Sequence, residues 1–154
     1  LSERRKVLIA YDSSSSGDYA LQWAFDGLIQ DGNDHVVLVT AVEQSQPLIR
    51  FNFNKGEDEI RTEIQKVSLL SVRYEAIQAV HETLASLFRK RDISCQSFIL
   101  EGDARDVILE VADKTRADCI VMGARGLNAV HRAVLGSASL FITQEAQVPV
   151  VVVK

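Results

Sequence analysis

Glycine and serine recur at a fixed spacing in the last third of the sequence, where they could bind phosphate. The residues concerned are Gly123, Gly126, Gly136, Ser137 and Ser139. Glycines let the main chain turn sharply and approach a ligand closely. A helix that begins at Gly136 would present unpaired amides and a positive dipole end, which favour an anion, and the two serines would add hydroxyl donors. The spacing therefore indicates a phosphate cradle; the alternative is that these residues only cap helices and turn a loop.

The elements that must position this cradle follow from an alternation of apolar runs with amphipathic segments. Five runs have the length and composition of buried strands: 6–11, 36–42, 93–100, 118–122 and 148–153. Apolar residues at helical spacing predict helices after 13–16, over 57–91, after the cap Asp103 and from Gly136. The segment 43–56 is interpreted as a loop. Because a helix over 57–91 would be about 50 Å long, we expect part of it to break, to project beyond the sheet or to fold over as a flap.

Strand–helix alternation with continuous apolar strands predicts one α/β domain over residues 1–154. Right-handed crossovers lead to a doubly wound, five-stranded parallel sheet of order 3-2-1-4-5 with helices on both faces. In such sheets, ligands bind beyond the carboxyl ends of the strands where the winding direction reverses. That crevice opens between strands 1 and 4, and Asp12 and Gly123 follow these two strands.

Composition limits the classes of partner and the compartment. The chain has 154 residues, of which 47% are hydrophobic and 25% charged, with 17 basic against 21 acidic side chains. Since there is no basic excess, nucleic acid is not an expected partner. The apolar runs are shorter than the roughly 20 residues of a membrane helix, so no membrane contact is expected either. Cys95 and Cys119 lie in strand-like runs and are interpreted as buried, reduced thiols, which favours a cytoplasmic location.

The sequence resembles the universal stress protein family over essentially its whole length. Nucleotide-binding members of that family carry G-x2-G-x9-G-[ST] after strand 4, and four residues fill this pattern with the full spacing: Gly123, Gly126, Gly136 and Ser137. Asp12 after strand 1, the turn Gly102-Asp103 and the closing strand 148–153 also agree. The resemblance implies a nucleotide-dependent stress-response module that binds ATP, with magnesium as an optional companion ion.

The resemblance also implies a role for each site residue. Asp12 would accept a hydrogen bond from the ribose, the main chain near Ala41 would meet the adenine, and Met122 would lie beside the base. The ribose and first phosphates would lie along Gly123 and Gly126, and the outer phosphates would lie at the helix start formed by Gly136, Ser137, Ala138 and Ser139. Tyr11 departs from the family pattern and would either stack on the base or crowd it.

The remaining charged and titratable residues near these motifs have simpler interpretations. Arg125 and His131 follow Gly123 and could neutralise phosphate charge; Arg125 is the better candidate because a guanidinium makes bidentate contacts and stays charged. An exposed arginine without a partner is the alternative. His35 and His81 are interpreted as surface or boundary residues.

Catalysis is less well supported than binding. Hydrolysis needs a positioned water, a base and usually a metal, and Asp12 is the carboxylate that can be placed in the crevice. No nucleophile elbow G-x-S-x-G occurs. Binding without turnover is therefore the favoured function. Slow ATP hydrolysis, autophosphorylation and a ligand-free interaction module of the same fold are the alternatives.

The last strand favours a second copy of the chain as partner. Val150–Val153 is entirely β-branched and would lie at an edge of the sheet. An apolar edge of this kind tends to pair with another strand. The family resemblance implies a homodimer through this strand; an edge covered by the chain's own N-terminus or by a helix is the alternative.

Overall fold

The computed structural model describes residues 3–43, 56–125 and 135–154, and for 56–72 it describes the main chain alone. Within these ranges the strands are β1 (Arg5–Ala10), β2 (Asp34–Val42), β3 (Ser94–Glu101), β4 (Cys119–Gly123) and β5 (Val150–Val153). The helices are α1 (Ser15–Trp23), α2 (Gly56–Lys90), α3 (Ala104–Thr115) and α4 (Ser137–Glu145). A π-helical turn, Ala24–Leu28, continues α1.

The strands form one parallel sheet of order β3-β2-β1-β4-β5, which confirms the predicted fold. The central strand β1 pairs with β2 on one side and with β4 on the other, so that Val7 is aligned with both Val36 and Cys119. The carboxyl ends of β1 and β4 therefore meet at the point where the winding direction reverses. A crevice at this point is the expected ligand site of a doubly wound sheet.

Two apolar layers cover the sheet, one on each face. Side chains that alternate along β1 enter opposite layers: Val7 and Ile9 pack beneath α1 and α2, and Leu8 packs beneath α3 and α4. All three are completely buried. Burial on both faces explains why the strand sequences are continuously apolar rather than alternating.

The helix α2 is longer than the sheet it packs against. It runs without interruption for 35 residues, which at 1.5 Å per residue is about 50 Å, so of the three expected alternatives the helix does not break. Its buried side chains within 73–90 are His81, Ala85 and Phe88, whereas residues 73–80 are exposed apart from the half-buried Ile77. The helix is therefore packed near its C-terminal end, and its preceding turns extend beyond the carboxyl edge of the strands.

The interpretation of His81 as a surface or boundary residue is wrong, because its side chain is only 2% exposed. His35 is half-buried, as expected for a boundary position, and its Nδ1 lies 2.7 Å from Ser94 Oγ. Cys95 and Cys119 are free thiols packed at the edge of the core. Burial raises the pKa of Cys95 to about 11 and also raises that of Cys119, so both thiols stay protonated at neutral pH.

Among the helices described above, none combines the length and the apolarity needed to cross a membrane.

Candidate functional site

A cleft of about 510 Å³ opens at the carboxyl ends of β1, β2 and β4. Its volume is in the range of small-molecule sites in proteins. Every predicted site residue that the structure describes lines this one cleft: Asp12, Ala41, Met122, Gly123, Arg125, Gly136, Ser137, Ala138 and Ser139. Gly126 and His131, and the part of the predicted loop at 44–55, lie outside the described residues.

Asp12 is held in a tight turn between β1 and α1. Its Oδ1 accepts hydrogen bonds from the amide of Ser14 at 3.0 Å and from the Ser14 hydroxyl at 2.6 Å. The same hydroxyl oxygen accepts from the amide of Gly17 at 2.9 Å and so caps α1. Ser13, between them, has a φ of 62°, a left-handed conformation that is uncommon for serine. The carboxylate is thus fixed at the start of α1.

Gly17 allows α1 to approach the turn at Asp12 closely, and Gly123 allows β4 to approach α1 closely. A Cβ on Gly17 would lie 2.7 Å from Asp12 Oδ1, and a Cβ on Gly123 would lie 2.8 Å from the main-chain carbon and oxygen of Ser16. Real Cβ atoms essentially never come so close to other atoms. Gly123 was predicted to leave room for a ligand; the structure shows that α1 occupies the space beside its Cα. Sequence reasoning missed Gly17 because it stands in a serine-rich run that reads only as a helix start.

The start of α4 carries unpaired amides that face the cleft. Gly136 is the N-cap residue, has no side-chain hydrogen bond to offer, and its carbonyl oxygen accepts the first intrahelical bond from Leu140 at 3.0 Å. The amides of Ser137, Ala138 and Ser139 consequently have no acceptor among the described residues. This is the arrangement that binds anions at a helix N-terminus.

The hydroxyl of Ser139 is not available to a ligand. Ser139 is 2% exposed, and its Oγ lies 2.9 Å from the carbonyl oxygen of Ala124 and 3.0 Å from that of Gly136. Since a carbonyl oxygen can only accept, the hydroxyl donates within the protein. The prediction that this serine offers a hydroxyl donor is therefore not supported. Ser137, by contrast, is exposed.

Charged side chains approach the cleft from three elements. Arg125, after β4, donates its amide to Ser16 Oγ at 3.3 Å. Its guanidinium makes no hydrogen bond or ion pair with the described residues. Arg73 of α2 and Glu43 after β2 also line the cleft, and sequence reasoning missed both. The length predicted for α2 was the one feature of the sequence that could have indicated Arg73 as a cleft residue, because only a helix that projects past the sheet can reach this edge.

Tyr11 belongs to the core as well as to the cleft wall. It is buried, and its hydroxyl donates to the carboxylate of Asp18 on α1. Burial, together with this hydrogen bond, raises the pKa of Tyr11, so the phenol stays protonated. The hydroxyl is therefore tied to α1.

Comparison with known proteins places this fold and cleft in a family. The family model described as "Universal stress protein family" matches residues 3–154. The chain belongs to the universal stress protein family. A universal stress protein A-like protein of Arabidopsis thaliana is 23% identical over 99% of this chain and 91% of its own. A universal stress protein of Synechocystis is 28% identical over 97% and 85%.

Solved structures of this family share the fold at low sequence identity. The universal stress protein UspA of Lactobacillus plantarum has a TM-score of 0.79 at 18% identity, with all of both chains covered. An Arabidopsis thaliana family member solved with AMP bound has a TM-score of 0.63 at 19% identity, covering 97% of this chain and 91% of its own. A universal stress protein in complex with cAMP has a TM-score of 0.59 at 17% identity, covering 99% and 98%.

The described part of this universal stress protein contains no group of three or more histidine, cysteine, aspartate or glutamate side chains that could hold a metal ion.

Proposed function

We propose that this universal stress protein binds an adenine nucleotide, ATP, in the cleft between β1 and β4. The observation that carries the proposal is the set of three unpaired amides at the start of α4, which face the same cleft as the carboxylate of Asp12. A nucleotide has anionic phosphates at one end and a ribose diol nearer the base. The amides of the cleft are donors that suit the phosphates, and the carboxylate of Asp12 is an acceptor that suits the diol. The family members solved with AMP and cAMP make adenine the reasonable base to test.

The phosphate end of the nucleotide would lie at α4. Amides and a helix dipole suit phosphate oxygens, and α4 has no acidic residue in its first turn to compete for them. The guanidinium of Arg125 lies in the same wall and would add charge-assisted hydrogen bonds. Arg73 would add a second positive charge from α2. These groups could hold a triphosphate.

The ribose and base would lie toward β1 and β2. The two hydrogen bonds that fix Asp12 both go to Oδ1, which leaves Oδ2 to accept from a ribose hydroxyl. The wall beyond it is apolar and is formed by Val39, Ala41, Ile108 and Met122. An apolar surface of this kind suits the face of a purine.

Magnesium would accompany the nucleotide. Mg²⁺ in nucleotide sites is usually held by one or two carboxylates together with substrate phosphates. With Asp12 assigned to the ribose, Glu43 is the other carboxylate among the described residues of the cleft wall and is the residue that would take this part. The ion would screen phosphate charge; the chain's own contribution is to hold the nucleotide by main-chain amides.

The decisive test removes one amide without disturbing the helix. Ser137 is the first residue of α4, a position where proline is well tolerated, and Gly136 has the extended ψ of 159° that a following proline requires. Ser137→Pro removes the amide hydrogen, whereas the matched control Ser137→Ala keeps it and removes only the hydroxyl. We expect Ser137→Pro to weaken ATP binding about tenfold, as for loss of one hydrogen bond to a charged group, and Ser137→Ala to change it little.

Isothermal titration of each protein with ATP, AMP and cAMP, after removal of any copurified nucleotide, measures this difference. Equal affinities of Ser137→Pro and Ser137→Ala would contradict the assignment of the phosphate to the amides. If the wild-type protein gives no heat with any of the three nucleotides, the nucleotide proposal fails, and a ligand-free interaction module becomes the better description.

We infer further that the protein forms a homodimer through β5. This strand is the last in the sheet order, and no described element pairs with its outer side. Val150, Val151 and Val152 are each only half-buried although all are β-branched. A partner strand would satisfy the outward main-chain groups and cover these side chains.

Exposed apolar residues flank β5 on both faces of the sheet. Ser16 of α1 lies against Gly123 of β4. Tyr19 and Trp23 follow Ser16 by three and seven residues, so these exposed side chains lie on the same flank of α1. On the other face, Phe141 of α4 packs under Arg105 of α3, which leaves Leu140 on the flank away from α3. In the proposed dimer, a two-fold related copy would bury these side chains together with β5.

A dimer that holds a nucleotide in each protomer would act as a regulatory module rather than as a catalyst. In this proposal, occupancy of the cleft changes the surface around the start of α4 and thereby changes contacts with a downstream partner. Such a module responds to nucleotide supply under stress.

A further inference from the structure

A chain of buried hydrogen bonds connects α2 to the main chain directly before Asp12. Thr40 Oγ1 lies 2.6 Å from the carbonyl oxygen of Tyr11 and 2.6 Å from His81 Nε2. The other ring nitrogen, His81 Nδ1, is hydrogen-bonded to Ser97 Oγ. Thr40 and His81 are 6% and 2% exposed, so water does not compete for these groups. The chain thereby joins four elements: α2, β3, β2 and the end of β1.

Chemistry fixes the direction of the two hydrogen bonds of Thr40 and, for a neutral His81, that of the hydrogen bond to Ser97 as well. The carbonyl oxygen of Tyr11 can only accept, so the Thr40 hydroxyl donates to it. Thr40 Oγ1 must then accept from His81, which places the imidazole proton on Nε2. The deprotonated Nδ1 consequently accepts from the hydroxyl of Ser97, an exposed residue. A neutral histidine satisfies the whole chain, and burial lowers the pKa of His81 in agreement with that state.

The end of β1 is held by this chain at the point where the cleft begins. The amide of Tyr11 donates to the carbonyl oxygen of Val39 at 2.9 Å, and its own carbonyl oxygen accepts from Thr40. The next residue is Asp12, followed by the left-handed turn at Ser13. The peptide groups on both sides of the Tyr11 Cα are therefore each held by one hydrogen bond. The second of these groups contains the Asp12 nitrogen, so the Asp12 main chain has little freedom to rotate.

The same chain also positions α2 relative to the cleft. His81 lies two turns after Arg73, a distance of about 12 Å along the helix axis. Arg73 lines the cleft although the helix around it is exposed on most sides. Among residues 73–90, His81 is the buried residue nearest to Arg73. Its hydrogen bond to Thr40 therefore fixes α2 at the packed position closest to the cleft.

We propose that Thr40 and His81 are positioning residues of the nucleotide site, which act through the Tyr11 carbonyl on Asp12 and through α2 on Arg73. This inference rests on the proposed nucleotide binding. Neither residue lines the cleft, so an effect of either one on the nucleotide must pass through the groups that it holds. Thr40 satisfies the buried carbonyl oxygen of Tyr11 and thereby holds the end of β1 in one orientation.

The test compares two substitutions of similar size at one position. Thr40→Val keeps the branched shape and removes the hydroxyl, whereas Thr40→Ser keeps the hydroxyl and removes a methyl group. We expect Thr40→Val to weaken ATP binding about tenfold by calorimetry, and Thr40→Ser to restore it to within about threefold of wild type. The matched control is Thr83→Val on α2, which removes an exposed hydroxyl that bonds only to the carbonyl of Ala79 and should leave affinity unchanged.

A second readout separates this inference from the nucleotide proposal. Amide hydrogen exchange in the ligand-free protein reports the stability of the turn over residues 12–17 directly. We expect Thr40→Val to accelerate exchange of the Ser14 and Gly17 amides by about tenfold or more relative to Thr83→Val, with exchange in α3 unchanged. His81→Gln, whose amide nitrogen can still donate to Thr40, should remain near wild type in both measurements.

The outcomes are distinct. If wild type binds ATP and Thr40→Val binds equally well, or if Thr40→Ser is as defective as Thr40→Val, the positioning role is refuted. If wild type binds no nucleotide, the proposed function fails, and the positioning role is then tested by amide hydrogen exchange alone. Unchanged exchange of the amides at 12–17 in Thr40→Val would overturn the inference. If Thr40→Val does not fold, the same comparison is made with His81→Phe against His81→Gln.

Discussion

A single glycine, Gly123, shows how one residue serves both the packing and the site. Its Cα lies against the main chain of Ser16, so α1 and β4 meet without an intervening side chain. The same residue lines the cleft. Sequence reasoning could recognise that a glycine was required here but not why, because the neighbour that excludes a Cβ lies more than 100 positions earlier in the chain.

We predict that Gly123→Ala destabilises the fold. The added Cβ would lie 2.6 Å from Ser16 Oγ and 2.8 Å from its main chain, and overpacking of this kind costs about 1–3 kcal/mol. The matched control is Gly27→Ala in the π-helical turn, where nothing lies within 4 Å of the new Cβ and the free energy of unfolding should change by less than about 1 kcal/mol. Urea unfolding of both variants measures the difference; equal midpoints would contradict the explanation.

His81 shows what residue patterns along a helix cannot reveal. A histidine in the middle of a helix is typical of a surface or boundary position, and its burial becomes understandable only when Thr40 and Ser97 are placed on each side of it. These partners come from two strands whose alignment the sequence does not give. By contrast, the cleft residues Asp12 and Ser137 could be predicted from local sequence, because Asp12 lies just after the end of β1 and Ser137 lies at the start of α4.

We predict that the buried histidine makes stability depend on pH. Burial lowers the pKa of His81 below its ordinary value of 6.5, so the unfolded chain binds this proton at a higher pH than the folded protein does. The free energy of unfolding therefore decreases as pH falls from 6.5 toward the folded pKa, by up to about 1.4 kcal/mol per pH unit. Above 6.5 the effect is absent.

Burial lowers the pKa of His35 in the same direction, so the contribution of each histidine must be measured separately. Urea midpoints of wild type, His81→Gln and His35→Gln between about pH 7.5 and about pH 5 give the two contributions. Each variant should lose less stability on acidification than wild type. A His81→Gln curve parallel to that of wild type would rule out the contribution of His81.

At the scale of elements, α1 and α2, two of the helices beside the cleft, are held in different ways. The helix α1 begins at a capped turn that also fixes Asp12, so its start is determined locally by Ser14. The helix α2 is held by packing near its C-terminal end, and its length rather than a local signal brings Arg73 to the cleft. Local signals predicted the start of α1, whereas no local signal fixes where a 35-residue helix stops following the sheet.

We predict that Ser14→Ala weakens the fold and the site together. The substitution removes the cap on Gly17 and one of the two hydrogen bonds to Asp12, and loss of a serine N-cap costs about 1 kcal/mol. Ser15→Ala, one residue later and exposed, is the control and should change stability by no more than about 0.5 kcal/mol. Thermal unfolding and ATP titration of both variants test this. If Ser14→Ala lowered stability but left affinity intact, the link between the cap and Asp12 would be lost.

At the scale of the whole molecule, the order of the strands determines which groups remain unpaired. Alternation of apolar strands and helices was enough to predict that order and to place the last strand at an edge. Which main-chain groups of β5 face outward depends on register, which composition cannot give. In the structure, the carbonyl oxygens of Pro149 and Val153 accept from Ile120 and Ala124 of the β4 region at 3.0 Å. The odd-numbered residues of β5 therefore face β4, and the main-chain groups of Val150 and Val152 face outward.

This register gives a test of the dimer that leaves the monomer's hydrogen bonds intact. Val152→Pro removes the outward amide of β5 and no bond to β4, and proline is tolerated on the outer side of an edge strand. Val152→Ala, which trims the side chain but keeps the amide, is the matched control. Sedimentation equilibrium should give a dimer for wild type and Val152→Ala and a monomer for Val152→Pro, all with the same circular dichroism spectrum. Val152→Pro lacks the outward amide that Val152→Ala keeps, so a dimer of Val152→Pro would mean that the copies meet at another surface. A monomeric wild-type protein would contradict the proposal that β5 is an interface.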